Sequence, residues 1–250
     1  MNKKIIQNSV IAIGYCLWAA GAVMFVSLGI ASPLIEYVLS DSVIGWLTSP
    51  LGALVLSAFI YMLATVIVVL PLKLSHAKAW RWVGEQLAMS RSFRLQTVPW
   101  AVFIWGVYMI VSVAVMLVLS SLTLPGLDLE QVQHVGFDNL SGVVEYTAAF
   151  LALVVFAPLF EEIIFRGYLF GRLRRLNGFW VSAVFTSLTF GLLHMQFNVG
   201  VDVFVLSIFL CFLREKFDSI WPGVLVHALK NSLAYTLLFI LPLYGVKLVQ

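Results

Sequence analysis

Apolar residues in this chain are grouped into long runs that alternate with short polar segments. A helix that spans a bilayer needs about 20 mainly apolar residues, so each run of roughly this length predicts a membrane span. The predicted spans are residues 9–31, 44–72, 98–122, 143–170, 179–197, 200–213 and 221–243. The run at 200–213 is the shortest, and an additional partial or re-entrant helix is compatible with the pattern. The sequence therefore predicts an all-α, polytopic helical membrane protein with about seven to eight transmembrane helices.

Composition supports this class of protein. The chain is 62% hydrophobic and 11% charged, whereas about a quarter of the residues in an ordinary soluble domain are charged. No internal repeat or low-complexity linker interrupts the pattern, so we expect one membrane domain over 1–250, with amino-terminal spans and loops in 1–140. The first apolar run is too long for the core of a signal peptide and no clear cleavage site follows it, which indicates a retained span. Cys16 and Cys211 lie in separate apolar runs, which predicts buried thiols and no disulfide.

The charges of the loops alternate along the chain. The amino terminus and every second loop are basic through Lys3, Lys4, Lys73, Lys78, Arg81, Arg91, Arg94, Arg172, Arg174, Arg175, Arg214 and Lys216. The intervening loops, taken as 32–43, 123–142 and 198–202, lack Lys and Arg and contain Glu36, Asp41, Asp128, Glu130, Asp138 and Asp202. Basic loops stay in the cytoplasm, so this alternation predicts a cytoplasmic amino terminus and a multi-pass protein of the cell membrane, in a bacterium the inner membrane. The segment 75–95 has tryptophans among basic residues and is a candidate interfacial helix on the cytoplasmic face.

Two adjacent glutamates, Glu161 and Glu162, interrupt the apolar run that begins at residue 143. Carboxylates inside a membrane are costly and usually face a protein interior or a wet cavity, where they carry function. Glu162 and Arg166 are four residues apart and can pair on one helix face, whereas Glu161 points about 100° away from Glu162. Pro158 removes a backbone hydrogen bond one turn earlier. We interpret Glu162–Arg166 as a structural ion pair and Glu161 as a functional residue.

Two later apolar runs contain histidine with asparagine one turn further on: His194 with Asn198, and His227 with Asn231. A single histidine in a span is more often a hydrogen-bonded core residue than a ligand. His227 and Asn231 share a helix face, so both can point into one cavity. Two histidines with Glu161 would also suit a zinc site. Each of these motifs is weak by itself.

Taken together, these residues resemble the CPBP family of intramembrane proteases. This family includes CAAX proteases and bacteriocin-processing enzymes and is also called Abi or type II CAAX endopeptidase. The resemblance covers roughly 145–235, with catalytic helices expected in 143–243, and its motifs are Glu161-Glu162-x-x-x-Arg166, Phe190-x-x-x-His194 and His227-x-x-x-Asn231. All motif positions are filled. The resemblance implies that Glu162 and Arg166 hold the site together.

The resemblance also implies a mechanism. Glu161 would act as the general base on a water that His194 helps to position, and His227 and Asn231 would stabilise the oxyanion. No cofactor is expected in this mechanism, and zinc bound by Glu161, His194 and His227 is the alternative. The expected partners are a peptide or protein substrate that enters from the membrane or the cytoplasmic face, together with membrane lipid, and no nucleic acid.

Two other classes of protein remain open at this stage. Intramembrane glutamate and histidine also build the ion pathways of proton-coupled transporters, but those commonly contain inverted repeats, and no repeat is found here. A catalytically silent scaffold would be favoured by substituted motif residues. The protease interpretation requires His227 to lie at the same depth in the membrane as Glu161 and His194. His227 is only about 9 Å along its helix from Trp221, which is less than the corresponding distances of the other two residues. The last helix must therefore begin below the membrane surface or tilt strongly.

Overall fold

A computed structural model describes residues 3–75, 80–91, 93–122, 129, 137 and 140–246. Secondary structure within these ranges is helical, and they contain no β-strand. The helices in chain order are α1 (Lys3–Met24), α2 (Ser32–Tyr37), α3 (Asp41–Leu47), α4 (Pro50–Ser75), α5 (Trp80–Gln86), α6 (Val98–Ser121), α7 (Val143–Phe150), α8 (Ala157–Glu162), α9 (Gly171–Leu173), α10 (Phe179–Leu192), α11 (Phe197–Phe217) and α12 (Trp221–Tyr235).

Several of these helices join into longer runs through π-helical turns, at Phe25–Ala31, Leu151–Phe156, Ile163–Phe170 and Thr236–Ile240. The described residues contain six helical runs long and apolar enough to cross a membrane: Ile6–Tyr37, Pro50–Leu74, Leu95–Ser121, Val143–Leu173, Phe197–Phe217 and Trp221–Tyr244. The polytopic all-helical fold is therefore confirmed. The predicted loop at 123–142 falls mostly outside the described residues, together with Asp128, Glu130 and Asp138.

The fifth predicted span is shorter in the structure than expected, and the sixth is longer. The fifth, predicted at 179–197, is the shorter apolar helix α10 of 14 residues, which ends at Leu192. The sixth, predicted at 200–213, is the 21-residue helix α11. The prediction of a turn at 198–202 is therefore wrong, because the turn lies between the two helices at 193–196. Asp202 consequently belongs to a membrane-spanning run, since one charged residue near a helix end does not stop an apolar helix.

The segment 80–91 packs under the helices on their basic side. Val83, Leu87 and Ala88 are buried in the main core, whereas Arg81 is exposed, so the segment is amphipathic as expected. Its partner is protein, because the backbone N–H of Ile220 donates to the Ala88 carbonyl at 3.3 Å and the Trp221 indole donates to the Met89 carbonyl at 3.3 Å. These bonds tie the start of α12 to this segment. The depth of His227 below the membrane surface stays a prediction.

Helices α4 and α6 of the amino-terminal half pack against the later helices. Helix α4 packs against α7, α8 and both π-helical turns beside α8, and helix α6 packs against α11 and α12. Helix α1 adds contacts with α4 and α10. The run Val143–Leu173, which carries the two adjacent glutamates, is the most buried of the six spanning runs. The polar side chains of this run therefore face other helices.

Candidate active site

The two glutamates lie on a short α-helix between two π-helical turns. Pro158 occupies the first turn of α8, and the π-helical turns Leu151–Phe156 and Ile163–Phe170 precede and follow this helix. Proline lacks the N–H that a continuous helix would use, which favours a change of register at this point. Single π-helical turns occur often at functional sites, where they redirect side chains. The register change here brings both carboxylates towards α12.

Glu162 is completely buried and is held from two sides. Arg166 donates to its Oε1 from Nη1 at 2.7 Å, and Nδ1 of His227 lies 3.2 Å from the same oxygen. The Glu162 and Arg166 side chains are both fully inaccessible to solvent. The second oxygen, Oε2, faces Gly223 so closely that a Cβ there would lie 2.7 Å from it. Only glycine at position 223 therefore lets the first turn of α12 pack against this carboxylate.

Glu161 has a different environment from its neighbour. Tyr61 on α4 donates its hydroxyl to Oε1 of Glu161 at 2.8 Å, while Nε2 of His227 lies 3.6 Å from Oε2, beyond a normal hydrogen bond. The Glu161 side chain is 14% exposed, and it lines a cavity of about 300 Å³. The carboxylate is thus anchored through one oxygen and accessible through the cavity.

His194 lines the same cavity as Glu161. It lies in the turn after α10, where its Nδ1 is 2.9 Å from the carbonyl oxygen of Phe190. A carbonyl only accepts, so Nδ1 carries a proton and donates this bond, which leaves Nε2 for another partner. The Phe190 ring packs against His194, His227 and the Arg166 guanidinium, which lies 4.7 Å from the ring centroid. Phe190, the aromatic residue of the second motif, thus packs against Arg166 of the first motif and His227 of the third.

Asn231 is bound to the backbone of a neighbouring helical run in this structure. Its amide Nδ2 donates to the backbone carbonyl of Leu153 at 2.8 Å. In the π-helical turn the N–H of Ala157 bonds to Ala152, so the next donor in that pattern, for Leu153, would be residue 158. Residue 158 is proline and has no N–H to donate. The Asn231 side chain therefore satisfies the carbonyl that Pro158 leaves without a helical partner.

A second polar cluster lies inside the membrane-spanning region, between α6, α11 and α12. Oδ1 of Asp202 accepts hydrogen bonds from Tyr108 at 2.6 Å and from Ser112 at 2.5 Å. The Lys230 ammonium lies 3.6 Å from Oδ2 of the same carboxylate. Sequence reasoning missed this cluster because it placed Asp202 in a loop. It also missed Tyr61 and the close approach at Gly223, because a tyrosine in an apolar span and a glycine after Trp-Pro carry little signal alone.

The structure thus brings five of the six predicted site residues together. Glu161, Glu162, Arg166 and His227 form a connected group, and His194 shares the cavity with Glu161. Within the described part of the chain, no three His, Cys, Asp or Glu side chains are grouped so that they could hold a metal ion. Glu161 and His227 are close enough to share a ligand, but His194 does not complete a three-residue set with them.

Comparison with known proteins agrees with the motifs. Residues 143–233 match the family described as type II CAAX prenyl endopeptidase Rce1-like. A curated relative is the putative membrane peptidase YdiL of Bacillus subtilis (strain 168), which is 23% identical over 99 residues. The alignment covers 38% of this chain and 41% of the relative, so the chain matches less than half of that protein. No solved structure matches the chain.

The matched segment begins at the first residue of α7 and ends two residues after Asn231, so it contains all six predicted site residues. The resemblance predicted from the three motifs is confirmed for this segment: residues 143–233, referred to here as the Rce1-like domain, match the type II CAAX prenyl endopeptidase family.

Proposed function

We propose that this protein is an intramembrane endopeptidase in which Glu161 activates a water molecule for attack on a peptide carbonyl. The observation that carries the proposal is the different treatment of two adjacent glutamates. Glu162 is fully buried and bound to Arg166, whereas Glu161 opens onto a cavity that also contains His194. A general base needs access to the proton that it removes, and only Glu161 has that access.

The side chains support a complete hydrolysis step. Glu161 takes a proton from the water as the water oxygen forms a bond to the carbonyl carbon. The Nε2 atom of His194, left available by the Nδ1 bond to Phe190, accepts a hydrogen bond from the same water and orients it. Collapse of the tetrahedral intermediate breaks the C–N bond, and Glu161 returns the proton to the leaving amine. The products are a carboxylic acid and an amine, which become a carboxylate and an ammonium by proton exchange, so no external oxidant or reductant is needed.

His227 is suited to stabilise the negative oxygen of the intermediate. Its Nδ1 faces the buried carboxylate of Glu162, and its Nε2 points towards Glu161. When Nε2 carries a proton, it can donate a hydrogen bond to the developing negative charge. Glu162 and Arg166 thus act through His227. For Asn231 we propose an indirect role, because its amide donates to Leu153 and supports the bend that presents Glu161.

We propose that the reaction uses no metal ion. A carboxylate base and a histidine donor are sufficient for water activation, so dialysis against a chelator should leave turnover unchanged. Elemental analysis of the purified protein checks this point directly. Stoichiometric zinc, with activity lost on its removal and restored on its return, would support the metalloprotease alternative instead.

The substrate is a peptide or protein in the membrane, and we propose its chemical class from the lining of the cavity. Apart from Glu161 and His194, the cavity is lined mostly by apolar side chains of α1, α4 and the π-helical turn after α8. Such a cavity suits a prenylated CAAX-type peptide, a bacteriocin precursor or another membrane peptide. We place the enzyme in the cell membrane, in a bacterium the inner membrane, with its amino terminus in the cytoplasm.

The experiment that tests this function compares membrane peptides from cells with wild-type protein and with Glu161→Gln. Glu36→Gln is a matched control, because Glu36 is an exposed glutamate on α2. We expect cleavage products that appear with wild type and Glu36→Gln and are missing with Glu161→Gln. Identical peptide sets from all three strains, with equal protein levels, would contradict the proposed function.

A further inference from the structure

We propose that Tyr61 is a positioning residue of this peptidase, and that α4 therefore supplies part of the active site from outside the Rce1-like domain. This inference rests on the proposed role of Glu161 as the base. Tyr61 lies 82 residues before the first residue of the matched segment, 143–233 (143 − 61 = 82). Neither the three motifs nor the family match assigns it a function.

The contact between Tyr61 and Glu161 is well placed for orientation. The phenol hydroxyl donates to Oε1 at 2.8 Å, and the Tyr61 ring stacks on Phe160, with the ring planes within 4° and the centroids 6.1 Å apart. Tyr61 also lines the cavity into which Glu161 opens. The ring is thus fixed by Phe160, the residue that precedes the base, while its hydroxyl fixes the base itself.

Anchoring one oxygen of a carboxylate determines where the other points. With Oε1 bound to Tyr61, Oε2 of Glu161 is held at 3.6 Å from Nε2 of His227. A glutamate side chain has several rotatable bonds and would otherwise sample orientations away from the histidine. Loss of a correct orientation at the reacting group lowers the rate of the chemical step more than the affinity for the substrate. Tyr61 should therefore affect kcat and leave KM nearly unchanged.

The Asp202 cluster provides a matched control. Tyr108 also donates its hydroxyl to an intramembrane carboxylate, at 2.6 Å to Asp202, but it does not line the cavity of Glu161. Tyr61→Phe and Tyr108→Phe remove the same atom and the same type of bond from two places in one protein. A merely structural tyrosine at position 61 would behave like Tyr108.

The test measures kcat, KM and the unfolding midpoint of the full chain in detergent. The probe is an internally quenched peptide with a farnesylated cysteine followed by three residues. For Tyr61→Phe we expect kcat to fall about 10-fold or more, the effect of losing one hydrogen bond to a charged group, with KM within about twofold. For Tyr108→Phe we expect kcat to stay close to the wild-type value. Equal kcat for Tyr61→Phe and wild type, or equal losses in both variants, would overturn the inference.

A second measurement does not depend on peptidase activity. Unfolding of wild type, Tyr61→Phe, Glu161→Ala and the double variant gives the coupling between the two side chains. We expect Tyr61→Phe to destabilise the wild type and to have little or no further effect when residue 161 is alanine. Absence of coupling would overturn the inference about Tyr61. An inactive wild type on every peptide tested would instead contradict the proposed function.

Discussion

The carboxylates of Asp202 and Glu161 both lie in membrane-spanning helical runs, and their surroundings are opposite in kind. Asp202 accepts two hydroxyl hydrogen bonds and faces the Lys230 ammonium. Glu161 accepts one hydroxyl bond, from Tyr61, and lines a cavity beside a histidine that is too distant for a hydrogen bond. A carboxylate that is surrounded by donors stabilises helix packing, whereas one left partly unbound at a cavity can take up a proton. Charge inside a membrane therefore does not identify a catalytic residue until its partners are known.

The two clusters meet on one helix. His227 of the glutamate cluster and Lys230 of the aspartate cluster are three residues apart on α12, so they lie on neighbouring parts of its surface. The aspartate cluster ties α12 to α6 and α11, and the glutamate cluster ties it to α8. We infer that the aspartate cluster fixes the position of α12 and that the glutamate cluster uses His227 of this helix for the reaction. Changes in the two clusters should then separate stability from turnover.

The largest combined effect is expected for Arg166→Ala. This change leaves the Glu162 carboxylate buried without its cation, and removal of one partner of a buried ion pair typically costs about 3–5 kcal/mol of folding free energy. Both the unfolding midpoint and turnover should fall strongly. The control is Arg91→Ala, which breaks the exposed pair with Asp218 and should cost little. Similar midpoints for the two variants would show that the buried pair does not stabilise the protein.

Asn231→Ala should have a smaller effect, which Pro158→Ala should reverse. Alanine at position 158 would restore an N–H that can donate to Leu153, so the asparagine would no longer be needed there. We expect Asn231→Ala to lower the unfolding midpoint and turnover, and the double variant to recover part of both. Turnover that falls about 100- to 1000-fold and is not restored by Pro158→Ala would assign Asn231 to the oxyanion, as the family resemblance implies.

The smallest effect on turnover is expected for Asp202→Asn. Asparagine keeps the size of the side chain and an oxygen that accepts from Tyr108, but it removes the charge opposite Lys230. The unfolding midpoint should fall while turnover per folded molecule stays close to that of wild type. Loss of turnover without loss of stability would show that the aspartate cluster belongs to the catalytic machinery, and the contrast between the two carboxylates would then be wrong.

The sequence predicted the catalytic helices better than their surroundings. The pairing of Glu162 with Arg166 was predicted from their spacing and is observed, because residues four apart on a helix share a face. His227 contacts the two glutamates from another helix, and the catalytic roles of these residues stay predictions. Tyr61 was not predictable. Its partner lies 100 residues away in sequence, and only the packing of α4 against α8 brings the two together.

The misplacement of Asp202 has a physical cause. Asp202 was placed in a loop because a charge near the end of an apolar run usually marks a membrane boundary, whereas here Tyr108 and Ser112 supply the polar partners that allow it inside. The oxyanion role of Asn231 was assigned from its place in a motif and stays a prediction. The contact with Leu153 depends on the helical register around Pro158, and hydropathy does not report that register.

Turnover of purified Glu161→Gln, measured beside Asp202→Asn, shows whether Glu161 is the base. Glutamine preserves the shape of the side chain and can still accept the Tyr61 hydroxyl, but it cannot take a proton from water. We expect a folded Glu161→Gln protein whose turnover falls to background, and an Asp202→Asn protein that still cleaves. Wild-type turnover by folded Glu161→Gln would contradict the assignment of Glu161 as the base.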